Sequence, residues 1–160
     1  PFLELDDGTI ISETISICRY LEELYPKPSL FGNNIKNRAV IDMWSRRIEL
    51  DGFLPLIHTV RNKGSFFEGK VIPGTRTGIK QSEEVANRGI EIFNVLLKRI
   101  NPHLLNNRFI AGEEFSIGDI TAHFMMNISN RLKIEIKNDY PNVYRWQVDI
   151  SNRKSVQNFN

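Results

Sequence analysis

From Asn34 onward, apolar residues return every three or four positions in one segment after another, and a chain patterned this way has to bury a stripe from each of several helices. The first segment, "NRAVIDMWSRRIELDGFLPLIHTVRN", puts Val40, Met43, Trp44, Arg47, Leu50, Leu54 and Ile57 on one side. Gly52 and Pro55 should bend it, because proline lacks an amide donor and crowds the turn before it. The second, "QSEEVANRGIEIFNVLLKRI", repeats the pattern with Val85, Gly89, Ile92, Phe93, Leu96, Leu97 and Ile100, and Pro102 is expected to follow its end. The basic, glycine-containing stretch "KGSFFEGKVIPGTRTG" between them reads as a loop, so the two helices should be antiparallel neighbours. Two later segments carry stripes of Ile120, Phe124 and Ile128, and of Val143, Trp146 and Ile150.

The start of the chain is patterned differently. Phe2 to Leu5 and Thr9 to Ile11 flank Asp6-Asp7-Gly8, and Asp-Gly between short apolar runs predicts an antiparallel hairpin. Ser12 is expected to cap a following helix, with Glu13 in its first turn and Ile17, Leu21 and Leu24 on its apolar side. "PKPSLFG" ends that helix and reads as a linker. The expected organisation is mainly α: a strand-strand-helix unit over residues 1–27, a linker over 28–33 and an all-helical domain over 34–160.

At 160 residues the chain can hold one full core with a remnant of a second domain attached. Its 21 Lys and Arg against 19 Asp and Glu leave a net charge of +2, which by itself gives no reason to expect nucleic acid as a partner. No run approaches the ~20 apolar residues that cross a bilayer, so no membrane partner is expected. Cys18 is the single cysteine and has no internal disulfide partner; beside Ile17 and Leu21 it reads as a small buried hydrophobe. His58, His103 and His123 lack metal-ligand spacing, so no metal is expected.

The sharpest local signal is "FSIGDI". Ser116 can accept the amide three residues on while Asp119 reaches back to the amide of Ser116, and Phe115 and Ile120 stand at the two staple positions. The pair reads as a structural capping box, and Asp119 is not expected to be a catalyst.

The order of these pieces resembles the cytosolic glutathione S-transferases of bacterial type. "PFLELDDGTIISETISICRYL" is similar to the back half of the family's thioredoxin-like domain, where a cis-proline precedes a hairpin and a Glu-Ser pair opens the next helix. "FIAGEEFSIGDI" resembles the family's capping-box segment, "YPNVYRWQVDISNRKSV" its late helix with a buried tryptophan, and "MWSRRIELDGFLPL" the bacterial members. The resemblance covers nearly the whole chain. It implies an all-helical glutathione transferase C-terminal domain preceded by a β-hairpin plus helix remnant of a thioredoxin-like α/β domain, with Pro1 as the family's cis-proline at the start of a partial sequence. The Tyr, Ser or Cys that engages the glutathione sulfur in the family precedes that proline, and no residue of this chain is assigned to the role.

By this resemblance the glutathione-binding residues would be Pro1, Glu13 and Thr14. A helix N-terminus attracts a carboxylate, which the γ-glutamyl end of glutathione supplies, and the neighbouring ammonium needs an anion such as Glu13. Thr14 would stand in for the family's usual Ser. Trp44 and Arg47 could line a co-substrate pocket or serve packing and a subunit contact; Phe66 and Phe67 could wall that pocket or anchor a dimer. The implied activity is conjugation of glutathione, as co-substrate and without a metal, to a small electrophilic substrate by a cytoplasmic homodimer, the detoxifying role of a transferase. A glutathione-dependent disulfide reductase or isomerase, and a non-catalytic dimerisation or docking module, share the fold. The fragment as given is expected to be inactive and to bind glutathione little.

Overall fold

The structure, a computed structural model, describes residues 1–158. Strands β1 (Phe2–Glu4) and β2 (Ile10–Ser12) pair antiparallel in the register Phe2 to Ser12, Leu3 to Ile11 and Glu4 to Ile10. The turn is wider than a two-residue loop. Leu5 donates to the Thr9 carbonyl and Gly8 to the Leu5 carbonyl, both at 2.9 Å, and the Asp7 carboxylate accepts from the Thr9 amide. Gly8 has a φ of 82°, a backbone angle that side chains with a Cβ resist. The wider turn moves β2 one residue later than predicted.

Helix α1 (Thr14–Leu24) begins almost at once. Ser12, expected as its cap, is instead the last residue of β2, and Glu13 takes the N-cap position rather than a place in the first turn. Strand pairing holds Ser12 extended, so a single residue is left to turn the chain into the helix.

The helical body opens with α2 (Ile35–Ile48), where the Asn34 side chain accepts the Asn37 amide at 2.9 Å. Where a bend is expected the chain makes a π-helical turn over Glu49–Phe53 and continues as α3 (Leu54–Lys63) with Pro55 in its first turn. Burial in α2 follows the line of Trp44 and Ile48, and Leu56 continues it in α3, whereas Met43, Leu50 and Leu54 of the expected stripe are exposed. The buried stripe is narrower than expected, and the π turn, with its extra residue, shifts the phase of everything after it.

Helix α4 (Glu83–Leu105) lies along α3, its N-terminus capped by Ser82, which accepts the Val85 amide. It does not stop at Pro102 but runs through it to Leu105. The lost amide bond is offset locally by burial, since Leu104 on the far side of the proline is fully enclosed and a buried leucine contributes roughly 1.5–3 kcal/mol. The antiparallel sense of the pair is read from its cross-links. Asn62 accepts from Ser82, the Thr59 hydroxyl donates to the Ala86 carbonyl, and Asp51 pairs with Arg99, so numbers fall along one helix as they rise along the other. Gly52 and Gly89 make this approach possible. A Cβ at Gly52 would meet Met125 Sδ at 2.2 Å and Leu96 at 2.6 Å, and one at Gly89 would meet the Pro55 carbonyl at 2.4 Å.

Helix α5 (Ile117–Arg131) crosses α2 and the π turn, and α6 (Pro141–Ser151) packs on α4; a short α7 (Lys154–Gln157) follows. Val143, Trp146 and Ile150 are buried as the stripe of α6 predicts. In α5 the enclosed face is Ala122, Met125, Met126 and Ser129, while the predicted Ile120, Phe124 and Ile128 lie on a second, partly open side. The helix is apolar on both sides, which a single-stripe reading does not resolve. Among the described residues no helix is long and apolar enough to cross a membrane.

Candidate functional site

The start of α1 is the place where backbone geometry is least ordinary. Glu13 has φ 70° and ψ 125°, a region that costs a non-glycine residue on the order of 1–3 kcal/mol and that is held only where surrounding structure imposes it. The Ile17 amide bonds the Glu13 carbonyl at 3.0 Å, which leaves the amides of Thr14, Ile15 and Ser16 as the orphan donors of the helix. Glu13 and Thr14 are both exposed, and the Glu13 carboxylate has no hydrogen bond or ion pair with the described residues. A carboxylate, a hydroxyl and three free amides therefore face solvent together. Pro1 is exposed at the head of β1. A cis peptide occurs elsewhere, at Lys27-Pro28.

The hairpin and α1 contain no buried residue, and polar links hold them to the helical body. Arg19 pairs with Asp42 of α2, and its guanidinium lies 4.9 Å from the centre of the Phe31 ring. Glu22 binds the linker through the Ser29 hydroxyl and the amides of Leu30 and Phe31, at 2.7 to 3.0 Å for the closest contacts. The Leu30 carbonyl then accepts the Ile117 amide at the start of α5. Nothing in the sequence flagged Glu22; an acidic residue seven positions before a Ser-Leu-Phe-Gly turn carries no local signature.

The capping box forms as expected, and Asp119 does more than cap. Its fully buried carboxylate accepts the Ser116 amide and hydroxyl on one oxygen, at 3.0 Å each, and the Ile110 amide and Trp146 Nε1 on the other, at 2.9 Å each. Burial pushes this carboxyl above its ordinary range, against the pull of the donors. The arrangement is a structural hub for three chain segments.

A cavity of about 570 Å³ lies over the second side of α5, lined by Phe53, Phe115, Ile120, His123, Ile128 and Val156 among others. His123 shares a 3.1 Å contact with the Asn127 amide nitrogen. His103 contacts the Ile110 carbonyl at 3.0 Å and its ring lies 4.1 Å from Trp44. Burial lowers the pKa of both histidines, and Arg47 adds a repulsion at His103. Folded-state values below that of the unfolded chain mean that the folded protein resists protonation. The corresponding stability is present above pH ~6.5 and is lost as pH falls through and below that value. The melting temperature is expected to drop between about pH 7.5 and 5.5, and less so in a His103→Gln, His123→Gln double variant; equal slopes for the two proteins would refute this. The raised carboxyl of Asp119 works in the opposite sense, its stability rising as pH falls toward ~3.8, so the double variant isolates the histidine contribution.

The other predicted residues sort into two pairs. Trp44 is buried between His103 and Arg47, whose guanidinium carbon lies 4.9 Å from the centre of the Trp44 ring. Phe66 and Phe67 sit edge to face in a short turn (Ser65–Phe67) after α3. No hydrogen bond or ring contact joins one pair to the other among the described residues, and neither pair lines the cavity over α5. Cys18 is half-buried and its thiol is pushed up by burial, away from the reactive thiolate. Among the described residues no three His, Cys, Asp or Glu side chains are grouped as a metal site would require.

Residues 52–154 match the family model of the glutathione S-transferase C-terminal domain. The chain belongs to that family. It is 27% identical to glutathione S-transferase 2 of Saccharomyces cerevisiae over 161 aligned positions, covering 98% of this chain and 65% of that protein. It is also 27% identical to bovine glutathione S-transferase A4, covering 99% and 64% respectively. The chain thus spans just under two thirds of the length of these curated relatives. Among solved structures, the Gtt2-class glutathione S-transferase of Vibrio parahaemolyticus superposes with a TM-score of 0.82 at 31% identity, over 98% of this chain and 70% of that one. Gtt2 of Saccharomyces cerevisiae superposes at 0.84 with 25% identity, over 100% and 74%. These superpositions take in the two-strand hairpin as well as the helices.

Proposed function

We propose that this chain is part of a glutathione transferase that joins glutathione to small electrophilic substrates, and that the start of α1 holds the γ-glutamyl end of the tripeptide. One observation carries the reading: Glu13, unpaired and open to solvent, is held with a left-handed φ beside three unshared amides and the Thr14 hydroxyl. A zwitterionic amino-acid end needs both halves of that arrangement. The amides and Thr14 would take its carboxylate, and Glu13 its ammonium. The relatives named glutathione S-transferase support the class, while a 27% identical relative from Dictyostelium discoideum is named maleylacetoacetate isomerase, the kind of activity the isomerase alternative would carry. In the conjugation itself a carbon–sulfur bond forms as the thiol proton and the leaving group depart, and no residue of this chain is assigned to activating the sulfur. Pro1 would border the cysteinyl moiety, glutathione would serve as co-substrate without a metal, and the site of action would be the cytosol.

A homodimer fits the outer faces of the bent helix and α4, where Leu50 and Val95 stand exposed beside the Asp51–Arg99 ion pair. Exposed charge contacts contribute at most ~1 kcal/mol each, so this chain alone should bind glutathione with a Kd near or above ~1 mM. The test is amide-resolved NMR during a glutathione titration. Shifts are expected at Glu13 to Ser16, weakening several-fold in Glu13→Gln, and sedimentation of the same samples should give a dimer. Micromolar affinity, or saturating shifts that ignore position 13, would contradict the assignment.

A further inference from the structure

The charge of the whole chain hides an asymmetry. Residues 61–80, the end of α3 and the loop to α4, hold Arg61, Lys63, Lys70, Arg76 and Lys80 against the single carboxylate of Glu68, while the full chain carries only +2, so the remainder is net negative. The acidic pair that follows, Glu83 and Glu84, lies in the first turn of α4, where the helix N-terminus compensates it. The same loop turns apolar side chains outward: Phe66 is 74% exposed, Ile72 43% and Ile79 51%.

The loop is not a loose tether. Gln81 Nε2 donates to the carbonyls of Arg61 and Gly64 at 2.8 and 2.7 Å, Arg61 donates to the Lys70 carbonyl at 2.6 Å, and the Thr77 amide bonds Gly69. A frame built on the ends of two long helices therefore presents hydrocarbon and cations together at one end of the helical body.

We infer that this loop is a docking surface for an anionic lipid membrane, with Phe66, Ile72 and Ile79 entering the interface and Lys63, Lys70, Arg76 and Lys80 facing acidic headgroups. Charge complementarity and exposed hydrocarbon are the two contributions that hold peripheral proteins at such surfaces. Nucleic acid fits less well. The Lys70 ammonium lies over the Phe66 ring at 4.3 Å from its centre and Phe67 packs edge to face with it at 5.2 Å, so one face of the ring is already taken by a cation and less is left for base stacking. Ile72 and Ile79 suit acyl chains and not bases.

The experiment is co-sedimentation of the full chain with vesicles of phosphatidylcholine alone or of phosphatidylcholine with phosphatidylserine, at about 0.05 M and about 0.5 M salt. Binding is expected to the anionic vesicles at low salt, with a loss of at least about tenfold on zwitterionic vesicles or at high salt. Lys70→Ser should weaken it about fivefold. Phe66→Ser should weaken it also, and Lys98→Ser, on the exposed side of α4, should leave it unchanged. Circular dichroism confirms that each variant folds. The inference is overturned by absence of anionic-vesicle binding at low salt, by equal binding to both vesicle types, by loss equal to that of Lys70→Ser in Lys98→Ser, by tighter binding of a single-stranded oligonucleotide, or by dimer dissociation in Phe66→Ser. These readouts do not involve glutathione, so their failure leaves the proposed activity standing.

Discussion

Asp119→Ala is expected to cost about 3–5 kcal/mol and to lower the melting temperature by roughly 10 °C. The carboxylate satisfies four donors inside the protein, and three of them, the amides of Ile110 and Ser116 and the indole of Trp146, cannot turn to water when it is removed. Each buried donor left without a partner costs about 1–3 kcal/mol, and the small cavity adds to that. Asp119→Asn keeps the shape but directs an amide group at one pair of donors, so an intermediate loss is expected, softened because the Ser116 hydroxyl can rotate to accept. Chemical unfolding that places the alanine variant within about 1 kcal/mol of the parent would show that these bonds do not carry the junction.

Gly89→Ala should destabilise by about 2–4 kcal/mol, a large effect for one methyl group. The new Cβ would stand 2.3 Å from Thr59 Oγ1 and 2.4 Å from the Pro55 carbonyl oxygen. The second is backbone of the facing helix and can move only if α3 and α4 separate, which also strains the Thr59 bond to Ala86. Gly78 is the matched control. Nothing lies within 4 Å of its Cβ position and its φ is not positive, so Gly78→Ala should stay within about ±0.5 kcal/mol. Comparable losses at the two glycines would mean that the close crossing does not set the cost, since helix propensity and the stiffer unfolded chain both favour alanine.

Local rules in the sequence carried most of the helical body. Capping signals at Ser116 and Asp119 and the stripe of Val143, Trp146 and Ile150 depend on neighbours within a few positions and stand as read, and the irregularity expected at Gly52 and Pro55 takes the form of a π-helical turn. What escaped depends on distant partners. The indole bond from Trp146 to Asp119 joins residues 27 apart, and Glu22 finds the linker only once α1 has turned back toward it. Pro102 misled because a proline inside a helix is tolerated where burial on its far side offsets the missing bond.

The candidate site was legible in part for the same reason. Placing an acidic residue and a hydroxyl at the head of α1 needs only the strand-to-helix transition, whereas the left-handed φ of Glu13 is invisible to propensity, which assigns such angles to glycine and asparagine. Trp44 is harder still. A tryptophan at helical spacing can face a core or a ligand, and its enclosure between His103 and Arg47 is set by α4 and by the residue that follows Pro102.

The polar fastening of the hairpin and α1 has an energetic corollary. Of the links from α1, the Arg19 to Asp42 pair is exposed, whereas the Glu22 bonds to Ser29, Leu30 and Phe31 are partly buried, so the two kinds of fastening respond differently to solvent. Ionic strength will loosen the Arg19 to Asp42 link and leave the Glu22 anchor, so salt acts on one of the two points that hold the helix bearing Glu13.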